Sequence, residues 1–356
     1  MNTTEDSPIP AGSAAGTALP APRTLPPRSA PVLRWGVLGP GGIADTFVRA
    51  LQASTAQEVV AVGSRSAERA EAFARRLGIP TAYGGYAELL ADERVDIVYV
   101  ATPHSEHFTQ AMQAIGAGKH VLVEKAFTRN AREAEQLIGA ARAQGRFLME
   151  AMWPRCLPHM DVVRQCLERE LLGEVHTVMA DHGQYMTPDP HSRLYAPELA
   201  GGALLDLGVY PLSFASMVLG PFATASAIGS RTFTGVDAQS SVVVTNARGA
   251  HGLLHTTLLA RTPTTASVSG SLAGLELEGA FYAPTSVRLL DRAGQLIDCY
   301  EPESREHGYA YEAAEAARCV AEGRLESDLM PVSESLRLMR TTDDLREQLG
   351  VRYPGE

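Results

Sequence analysis

The sequence lacks the cysteine arrangements that mark metal-binding and disulfide-rich proteins. Its 356 residues include only 4 cysteines, and these form neither a CxxC pair nor a zinc-type arrangement with histidine: Cys156, Cys166, Cys299 and Cys319. We therefore expect free thiols in a reducing compartment and no metal site.

Positive charge is also scarce. The chain has 31 lysine and arginine residues against 41 aspartate and glutamate residues, which gives a formal net charge of -10. Such a chain repels a phosphate backbone, and no basic cluster is dense enough to override the repulsion. Nucleic acid is not an expected partner.

Long apolar runs are missing as well. No stretch approaches the roughly 18 uncharged apolar residues of a membrane helix. Glu5 and Asp6 stand where a secretion signal has its basic start, and neither an apolar segment nor a twin-arginine pair follows. Residues 1–30 combine repeated prolines with alanine, serine and threonine, which predicts a disordered tail. We expect a soluble, cytoplasmic protein with no membrane partner.

From Val32 onward, short β-rich runs alternate with alanine-rich segments of helical spacing. This pattern predicts a Rossmann domain over residues 31–152, an α/β fold with a doubly wound parallel sheet. After Trp153 the pattern changes to apolar and polar alternation, as in 175–186 and 241–247. Residues 153–356 are therefore expected to form an α+β domain for substrate binding and oligomerisation, built on a largely antiparallel, open sheet. The active site should lie between the two domains.

Residues 34–44, RWGVLGPGGIA, run from an apolar strand through a glycine pattern directly into a helix. Gly39 permits a tight turn, Gly41 lets the backbone approach a pyrophosphate, and Ala44 allows close packing of helix on strand. The helix N-terminus, with Gly42 and Ile43, faces the phosphates. The pattern alone also fits a plain glycine turn, but its place in a βαβ series favours dinucleotide binding.

The end of the second strand indicates which dinucleotide is bound. It reads Gly63-Ser64-Arg65-Ser66, with no carboxylate before Glu68. An NAD-specific domain places an acidic residue near this point for the ribose 2'-hydroxyl, whereas a hydroxyl followed by a guanidinium suits a 2'-phosphate. We predict NADP, with NAD as the alternative. Arg65 could also be a solvated loop residue.

Two later strands end in polar residues at the same edge of the sheet. The first is followed by Thr102 and His104, which we expect beside the nicotinamide ribose, whereas His107 is more typical of a packed residue. The second ends in Glu124 and Lys125. A lysine there can bind a substrate hydroxyl and lower the pKa of a neighbouring acid, although a structural ion pair with Glu124 is the alternative.

On these motifs, the chain resembles the Gfo/Idh/MocA oxidoreductase family, and the resemblance covers nearly all residues after residue 31. It is most similar to the branch of dimeric dihydrodiol dehydrogenase, NADP-dependent D-xylose dehydrogenase and glucose-fructose oxidoreductase. The matching segments are the glycine turn, Ser64 to Ser66, Ala101 to His107, Val123 to Thr128, Glu150 to Arg155 and Gly201 to Pro211.

The resemblance implies specific site residues. Lys125 matches the lysine of the family's EKP motif, and Tyr210 matches the tyrosine that donates and accepts the proton in this branch. Asp206 lies four residues before Tyr210, so on a helix both project from one face toward the substrate. Trp153 and Arg155 are implied pocket residues, with a domain-packing aromatic and a surface ion pair as their alternatives. Weaker pocket candidates precede the glycine pair: His191 and Arg193.

The chain departs from the family pattern at two places. The EKP motif reads Glu124-Lys125-Ala126, so the proline that stiffens the turn is missing and the lysine could be held more loosely. The usual triple glycine reads Ala200-Gly201-Gly202, which could narrow the loop near the substrate. Neither change removes a reacting group.

These observations predict an NADP-dependent dehydrogenase or reductase, expected to be a homodimer by the resemblance. Its expected substrate is a sugar or cyclic polyol, oxidised as an aldopyranose at C1 or as a trans-dihydrodiol. A phenol with an ordinary pKa of about 10 needs help near neutral pH, and Lys125 could supply it. Two alternatives stay open: a non-catalytic sugar sensor that binds the dinucleotide, and an enzyme whose tightly held cofactor shuttles hydride between sugars.

Overall fold

The first domain is a six-stranded parallel sheet with helices on both faces, as predicted. We describe residues 18–356 from a computed structural model. The strand order is β3-β2-β1-β4-β5-β6, which is the Rossmann order. The strands are β1 (Arg34–Leu38), β2 (Glu58–Gly63), β3 (Thr81–Tyr83), β4 (Ile97–Val100), β5 (His120–Glu124) and β6 (Leu148–Ala151). The helices are α1 (Gly42–Ser54), α2 (Ala67–Leu77), α3 (Tyr86–Leu90), α4 (His104–Gly116) and α5 (Ala131–Ala143).

The sequence explains these elements locally. All four residues of β4 are buried, as expected for a strand covered by helices on both faces. Ser66 begins α2 with its side chain accepting a hydrogen bond from the Arg69 amide, and Asn130 caps α5 in the same way through the Glu133 amide. Because the strands are parallel, the carboxyl ends of β1, β4 and β5 lie at one edge of the sheet, near the point where the strand order reverses.

The second domain is built on an eight-stranded sheet. Its strand order is β14-β13-β12-β11-β7-β10-β9-β8, and every neighbouring pair is antiparallel except β7 with β10. The strands are β7 (Val175–Gly183), β8 (Phe222–Arg231), β9 (Asp237–Asn246), β10 (His251–Thr257), β11 (Ala266–Gly270), β12 (Ala273–Leu277), β13 (Val287–Asp291) and β14 (Leu296–Tyr300). The helices are α6 (Pro158–Glu168), α7 (Val209–Leu219), α8 (Tyr309–Ala321) and α9 (Val332–Leu349).

The two faces of this sheet have different surroundings. Along β7 the buried residues Val178, Ala180 and His182 point inward, while Met179 between them is 51% exposed. Further apolar side chains are exposed on the strands of this sheet: Ile228, Val243 and Leu253. The alternation predicted from the sequence is therefore present, with one covered and one open face.

The expected disordered tail needs correction. Residues 1–17 lie outside the described residues, but residues 18–30 pack against the rest of the protein, mostly against the second domain. The Leu19 amide donates to Asp298 at 2.8 Å, and the Arg23 guanidinium pairs with Asp161 at 2.7 Å and with Glu168 at 2.8 Å. The prolines that suggested disorder also reduce the conformational entropy that the chain loses when this segment becomes ordered. The carboxylates of α6 then accept the hydrogen bonds that Arg23 donates.

One stretch that contains two charged residues, Glu198 and Asp206, has the length and mean apolarity of a membrane helix, although it lacks the uncharged run that the sequence analysis required. Pro197–Leu219 is long and apolar enough to cross a membrane by length and composition, but 94% of its most apolar window is buried inside the protein. It includes α7, in which nearly every residue is buried under the eight-stranded sheet. Such a stretch is typical of a core helix and is weak evidence for a membrane span.

Candidate active site

The turn between β1 and α1 has the geometry expected of a pyrophosphate cradle. Gly39 has φ of +94°, and a Cβ there would lie 2.8 Å from the Ala101 carbonyl oxygen, so a side chain is excluded. A Cβ at Gly41 would meet nothing nearer than 4.0 Å, and one at Gly42 nothing within 4 Å. The backbone here is open to a ligand. The first-turn amides of α1, including those of Gly42, Ile43 and Ala44, have no partner within the helix.

Two exposed arginines, Arg65 and Arg69, follow the end of β2. The Ser64 hydroxyl is buried and accepts a hydrogen bond from the Ser66 amide at 3.2 Å, while Arg65 is exposed. Burial raises the pKa of Tyr86, and the positive charges of Arg65 and Arg69 oppose that rise. The sequence analysis did not name Arg69, which lies in the first turn of α2.

His104 faces the junction from the end of β4. Its Nδ1 lies 3.0 Å from the Ala200 carbonyl oxygen, and its Nε2 lies 3.9 Å from the Asp206 carboxylate. Burial lowers the pKa of His104 to about 3, so the ring is neutral and carries its proton on Nδ1, because a carbonyl can only accept. The neighbouring Thr102 hydroxyl donates to Gln110 at 2.8 Å.

His107 is a packed residue. Both of its ring nitrogens lie 2.8 Å from backbone carbonyl oxygens, one of Ala126 and one of Thr102. Burial lowers its pKa, and the two acceptors oppose that shift. The ring therefore ties together the loops that follow β4 and β5, and it does not face the site.

Lys125 is held by the second domain. Its ammonium donates to the Asp206 carbonyl oxygen at 2.7 Å and to the Asp206 carboxylate at 3.1 Å. Arg193 donates to the same carboxylate oxygen at 2.9 Å. Burial alone would raise the pKa of Asp206, but the charges of Lys125 and Arg193 outweigh it and hold the pKa well below its ordinary value. Asp206 is an anion that fixes Lys125, so the missing proline after Lys125 does not leave the lysine loose.

Glu124 does not pair with the Lys125 ammonium. Its carboxylate accepts hydrogen bonds from the Tyr99 hydroxyl and, at 3.2 Å, from the Lys125 amide. Burial raises its pKa. Each of its oxygens thus has a protein partner, and the contact of Glu124 with the cofactor stays a prediction.

Tyr210 lies beside the lysine, on the first turn of α7. The Lys125 ammonium is 5.2 Å from the centre of the Tyr210 ring, and the Trp153 indole N–H donates to the Tyr210 hydroxyl at 3.4 Å. Burial raises the pKa of Tyr210 well above its ordinary value, and the nearby Glu124 charge adds to the shift. The expected lowering by Lys125 is therefore outweighed, and Tyr210 is a neutral phenol before any ligand binds.

Sequence reasoning missed a polar and aromatic wall beside Tyr210. The Tyr282 ring stacks on the Tyr210 ring at 4.6 Å, and the His182 ring lies 4.5 Å from Tyr282. Burial lowers the pKa of His182 to about 4, and its Nε2 lies 2.9 Å from the amide nitrogen of Gln184. The alternation along β7 could have placed His182 on the inner face. Tyr282 lies in a loop after β12, and no local pattern marks it.

Two predicted pocket residues lie elsewhere. The Arg155 guanidinium donates to the Ser213 hydroxyl at 2.9 Å and to Glu334 at 2.8 Å, and it is buried. It therefore joins α7 to α9 in a buried ion pair, not in the surface ion pair of the alternative, because a buried guanidinium requires such partners. His191 is exposed, and its backbone amide donates to Asp189 at 2.9 Å. The structure brings together the other pocket candidates: Lys125, Trp153, Arg193, Asp206 and Tyr210.

Within residues 18–356, no group of three or more histidine, cysteine, aspartate or glutamate side chains could hold a metal ion. The cysteines are free thiols; three are buried and Cys299 is exposed. The arrangement of the site thus offers a phosphate cradle, an anchored ammonium and a phenol, all at the carboxyl edge of the parallel sheet.

Comparison with known proteins gives a consistent result. Residues 33–152 match the family described as an oxidoreductase family with an NAD-binding Rossmann fold, GFO_IDH_MocA, and residues 160–276 match the GFO/IDH/MocA C-terminal domain. The chain is 36% identical to D-xylose 1-dehydrogenase (NADP(+)) of Hypocrea jecorina, over 90% of this chain and 93% of that protein. It is 36% identical to trans-1,2-dihydrobenzene-1,2-diol dehydrogenase of Oryctolagus cuniculus, over 89% of this chain and 99% of that protein.

Solved structures agree with the sequence matches. A 3-ketoreductase from Actinomadura kijaniata, in complex with NADP and TDP-benzene, superposes with a TM-score of 0.79 at 29% sequence identity. The match covers 89% of this chain and 98% of that one.

Proposed function

The chain belongs to the Gfo/Idh/MocA family of oxidoreductases, and from that premise we propose that it is an NADP-dependent dehydrogenase or reductase. Its proposed substrate is a sugar or cyclic polyol, on which it acts at a CH–OH group. The names of its relatives support this class, since they act on D-xylose and on a trans-dihydrodiol.

One observation carries the proposal: an ammonium and a neutral phenol lie together at the edge where the family binds its dinucleotide. The Lys125 ammonium lies 5.2 Å from the centre of the Tyr210 ring, and Asp206 holds the lysine from the other domain. If Lys125 were only structural and Tyr210 only a core residue, the fold would not require them to meet at the carboxyl edge of the Rossmann sheet, where such proteins bind their ligands.

The residues present fit NADP. The open backbone at Gly41 and Gly42 leaves room for a pyrophosphate, and the exposed Arg65 and Arg69 suit a 2'-phosphate. NAD remains the alternative cofactor. When bound, the nicotinamide supplies or accepts the hydride of the reaction.

The protein's own residues handle the proton. In the reducing direction the Tyr210 hydroxyl donates its proton to the substrate oxygen; in the oxidising direction it receives that proton. The Trp153 N–H, at 3.4 Å, stabilises the phenolate oxygen that donation leaves behind, and the Lys125 charge does so from the ring side. In the oxidising direction Tyr210 can accept the proton only as a phenolate, and burial keeps it protonated. The rate of oxidation should therefore increase as the pH rises.

The open face of the eight-stranded sheet supports a homodimer as part of the proposal. Met179, Val243 and Leu253 are 51%, 42% and 42% exposed on neighbouring strands, and such an apolar patch favours a covering partner. Leu253→Asp should then yield a monomer in size-exclusion chromatography with light scattering.

A cytoplasmic location is also proposed, supported by the free thiols.

The activity test follows NADPH formation at 340 nm with D-xylose, D-glucose, other aldoses and a cyclic trans-diol, and it repeats the assays with NAD. Tyr210→Phe should lower kcat roughly 10²- to 10⁴-fold while NADP binding stays within about 2-fold. Tyr83→Phe is the matched control, since its hydroxyl donates to Asp92 at 3.0 Å at the far edge of the sheet. Tight NADP binding without turnover would favour a sensor, and copurified nicotinamide would favour a hydride shuttle.

A further inference from the structure

The segment Val351–Glu356, which follows α9, has no part in the chemistry proposed above, yet it is firmly packed. The Tyr353 ring is 4% exposed and lies 4.5 Å below the Arg346 guanidinium. Glu356 accepts two hydrogen bonds from Arg346, both at 2.9 Å, and one from the Tyr353 amide at 3.0 Å. These contacts fold the segment back onto α9.

The same segment contacts both domains of the site. On the side of the parallel sheet, Asn130 donates to Glu356 at 3.1 Å and Arg129 donates to the Pro354 carbonyl at 3.3 Å. Both residues follow closely on Lys125 in the chain. On the other side, the Tyr353 hydroxyl donates to the Gly201 carbonyl at 2.6 Å. The segment therefore joins the loop after Lys125 to the loop before Asp206.

The Gly201 loop has three anchors in three successive residues. The Ala200 carbonyl accepts from His104 at 3.0 Å, the Gly201 carbonyl accepts from Tyr353, and the Gly202 amide donates to the Leu194 carbonyl at 2.9 Å. Neighbouring atoms allow the loop little freedom, since a Cβ at Gly201 would lie 2.6 Å from the Leu194 carbonyl oxygen.

Residues of the site flank this loop on both sides. Arg193 immediately precedes Leu194, and Asp206 follows a short distance after Gly202. Their side chains meet at 2.9 Å, and Asp206 in turn holds Lys125. A shift of the Gly201 peptide would therefore move Asp206, which holds Lys125, and Arg193, which pairs with Asp206, relative to the parallel sheet.

We propose that Tyr353 is a positioning residue of the active site, whose hydroxyl fixes the Gly201 carbonyl and thereby holds Arg193 and Asp206 in register with Lys125. The effect on catalysis rests on the proposed function. The anchoring itself is a property of the fold and can be measured separately.

The test uses Tyr353→Phe in the full chain, because phenylalanine keeps the ring and its contact with Arg346 and removes only the hydroxyl. The substrate KM should rise about 3- to 10-fold, which is the expected effect of losing one buried hydrogen bond, while kcat stays within about 2-fold. The dissociation constant of NADP should not change, because the glycine turn is untouched. Tyr83→Phe, which also loses one tyrosine hydroxyl, should leave the substrate KM unchanged.

Hydrogen exchange gives a readout that does not depend on activity. Amides in peptides covering residues 193–206 should exchange about 3- to 10-fold faster in Tyr353→Phe, with no change in peptides of the parallel sheet. Unchanged exchange would refute the anchor, and faster exchange with an unchanged KM would refute its role in substrate binding. If the wild-type protein oxidises no sugar or diol, the proposed function fails, and the exchange rates alone decide on the anchor.

Discussion

The Lys125 ammonium donates to both the carbonyl and the carboxylate of Asp206, at 2.7 Å and 3.1 Å. The lysine follows the last residue of β5 in the parallel sheet, whereas the aspartate lies just before α7 in the second domain. One side chain therefore fixes the relative position of the two halves of the site. Of the three N–H donors of the ammonium, two are engaged by Asp206, which leaves one for a ligand.

Replacing Lys125 tests this contact. Lys125→Met removes the charge and leaves Asp206 paired with Arg193, so the fold should survive while kcat/KM falls roughly 10²-fold or more, because the phenolate loses a nearby cation. Steady-state kinetics and urea denaturation measure the two effects. The control is Lys119→Met, at a lysine that donates to the Asp92 and Val95 carbonyls at 2.7 Å and 2.8 Å, far from the site. If both variants lose activity equally, Lys125 acts only through stability.

Cofactor preference depends on Arg65. Arg65→Ala should raise the KM for NADP about 10-fold and leave the KM for NAD nearly unchanged, since only NADP has the phosphate that an arginine can bind in charge-assisted fashion. Arg75→Ala on α2, the helix that follows Arg65, is the control, because Arg75 is also exposed and pairs with Glu71 at 3.4 Å. An equal rise for both cofactors would show that Arg65 does not select the 2'-phosphate.

The sequence predicted those features of the fold that short stretches of chain determine by themselves. The Gly39 turn, the βαβ units and the open antiparallel sheet follow from local glycine spacing and apolar periodicity. The sequence analysis named Lys125 and Asp206 as site residues but did not predict their pairing, because it joins residues 81 positions apart. Arg155 was misplaced, since nothing local indicates that Glu334 would be buried beside it. The order of residues 18–30 was missed because it depends on acceptors such as Asp161.

Glu150 should make stability depend on pH. Burial raises the pKa of this carboxyl to about 7, against an ordinary value of 4.5. The folded protein thus binds the proton more tightly than the unfolded chain, so the contribution of Glu150 to stability falls as the pH rises from about 4.5 to about 7. The loss amounts to about 3 kcal/mol at most.

Glu150→Gln separates this contribution from others. The glutamine stays neutral and still accepts the Phe127 amide hydrogen bond of 3.1 Å, so the variant should gain stability relative to the wild type between pH 4.5 and pH 8. Urea unfolding at both pH values measures the gain. Glu71→Gln, at an exposed carboxylate, should show no such trend. A stability difference that is the same at both pH values would mean that burial does not raise the pKa of Glu150 in the folded protein.

Substrate selection should depend on Gln184. This half-buried side chain lies 2.9 Å from the His182 ring, which stacks near the Tyr282 ring beside Tyr210. Gln184→Leu removes a hydrogen-bonding group that a polyhydroxylated ring can use and replaces it with an apolar one. The KM for an active aldose should rise about 10-fold, while that for a cyclic trans-diol with an apolar ring should change less than about 2-fold. Gln295→Leu, at an exposed turn, should change neither, and equal losses on both substrates would place Gln184 outside the substrate wall.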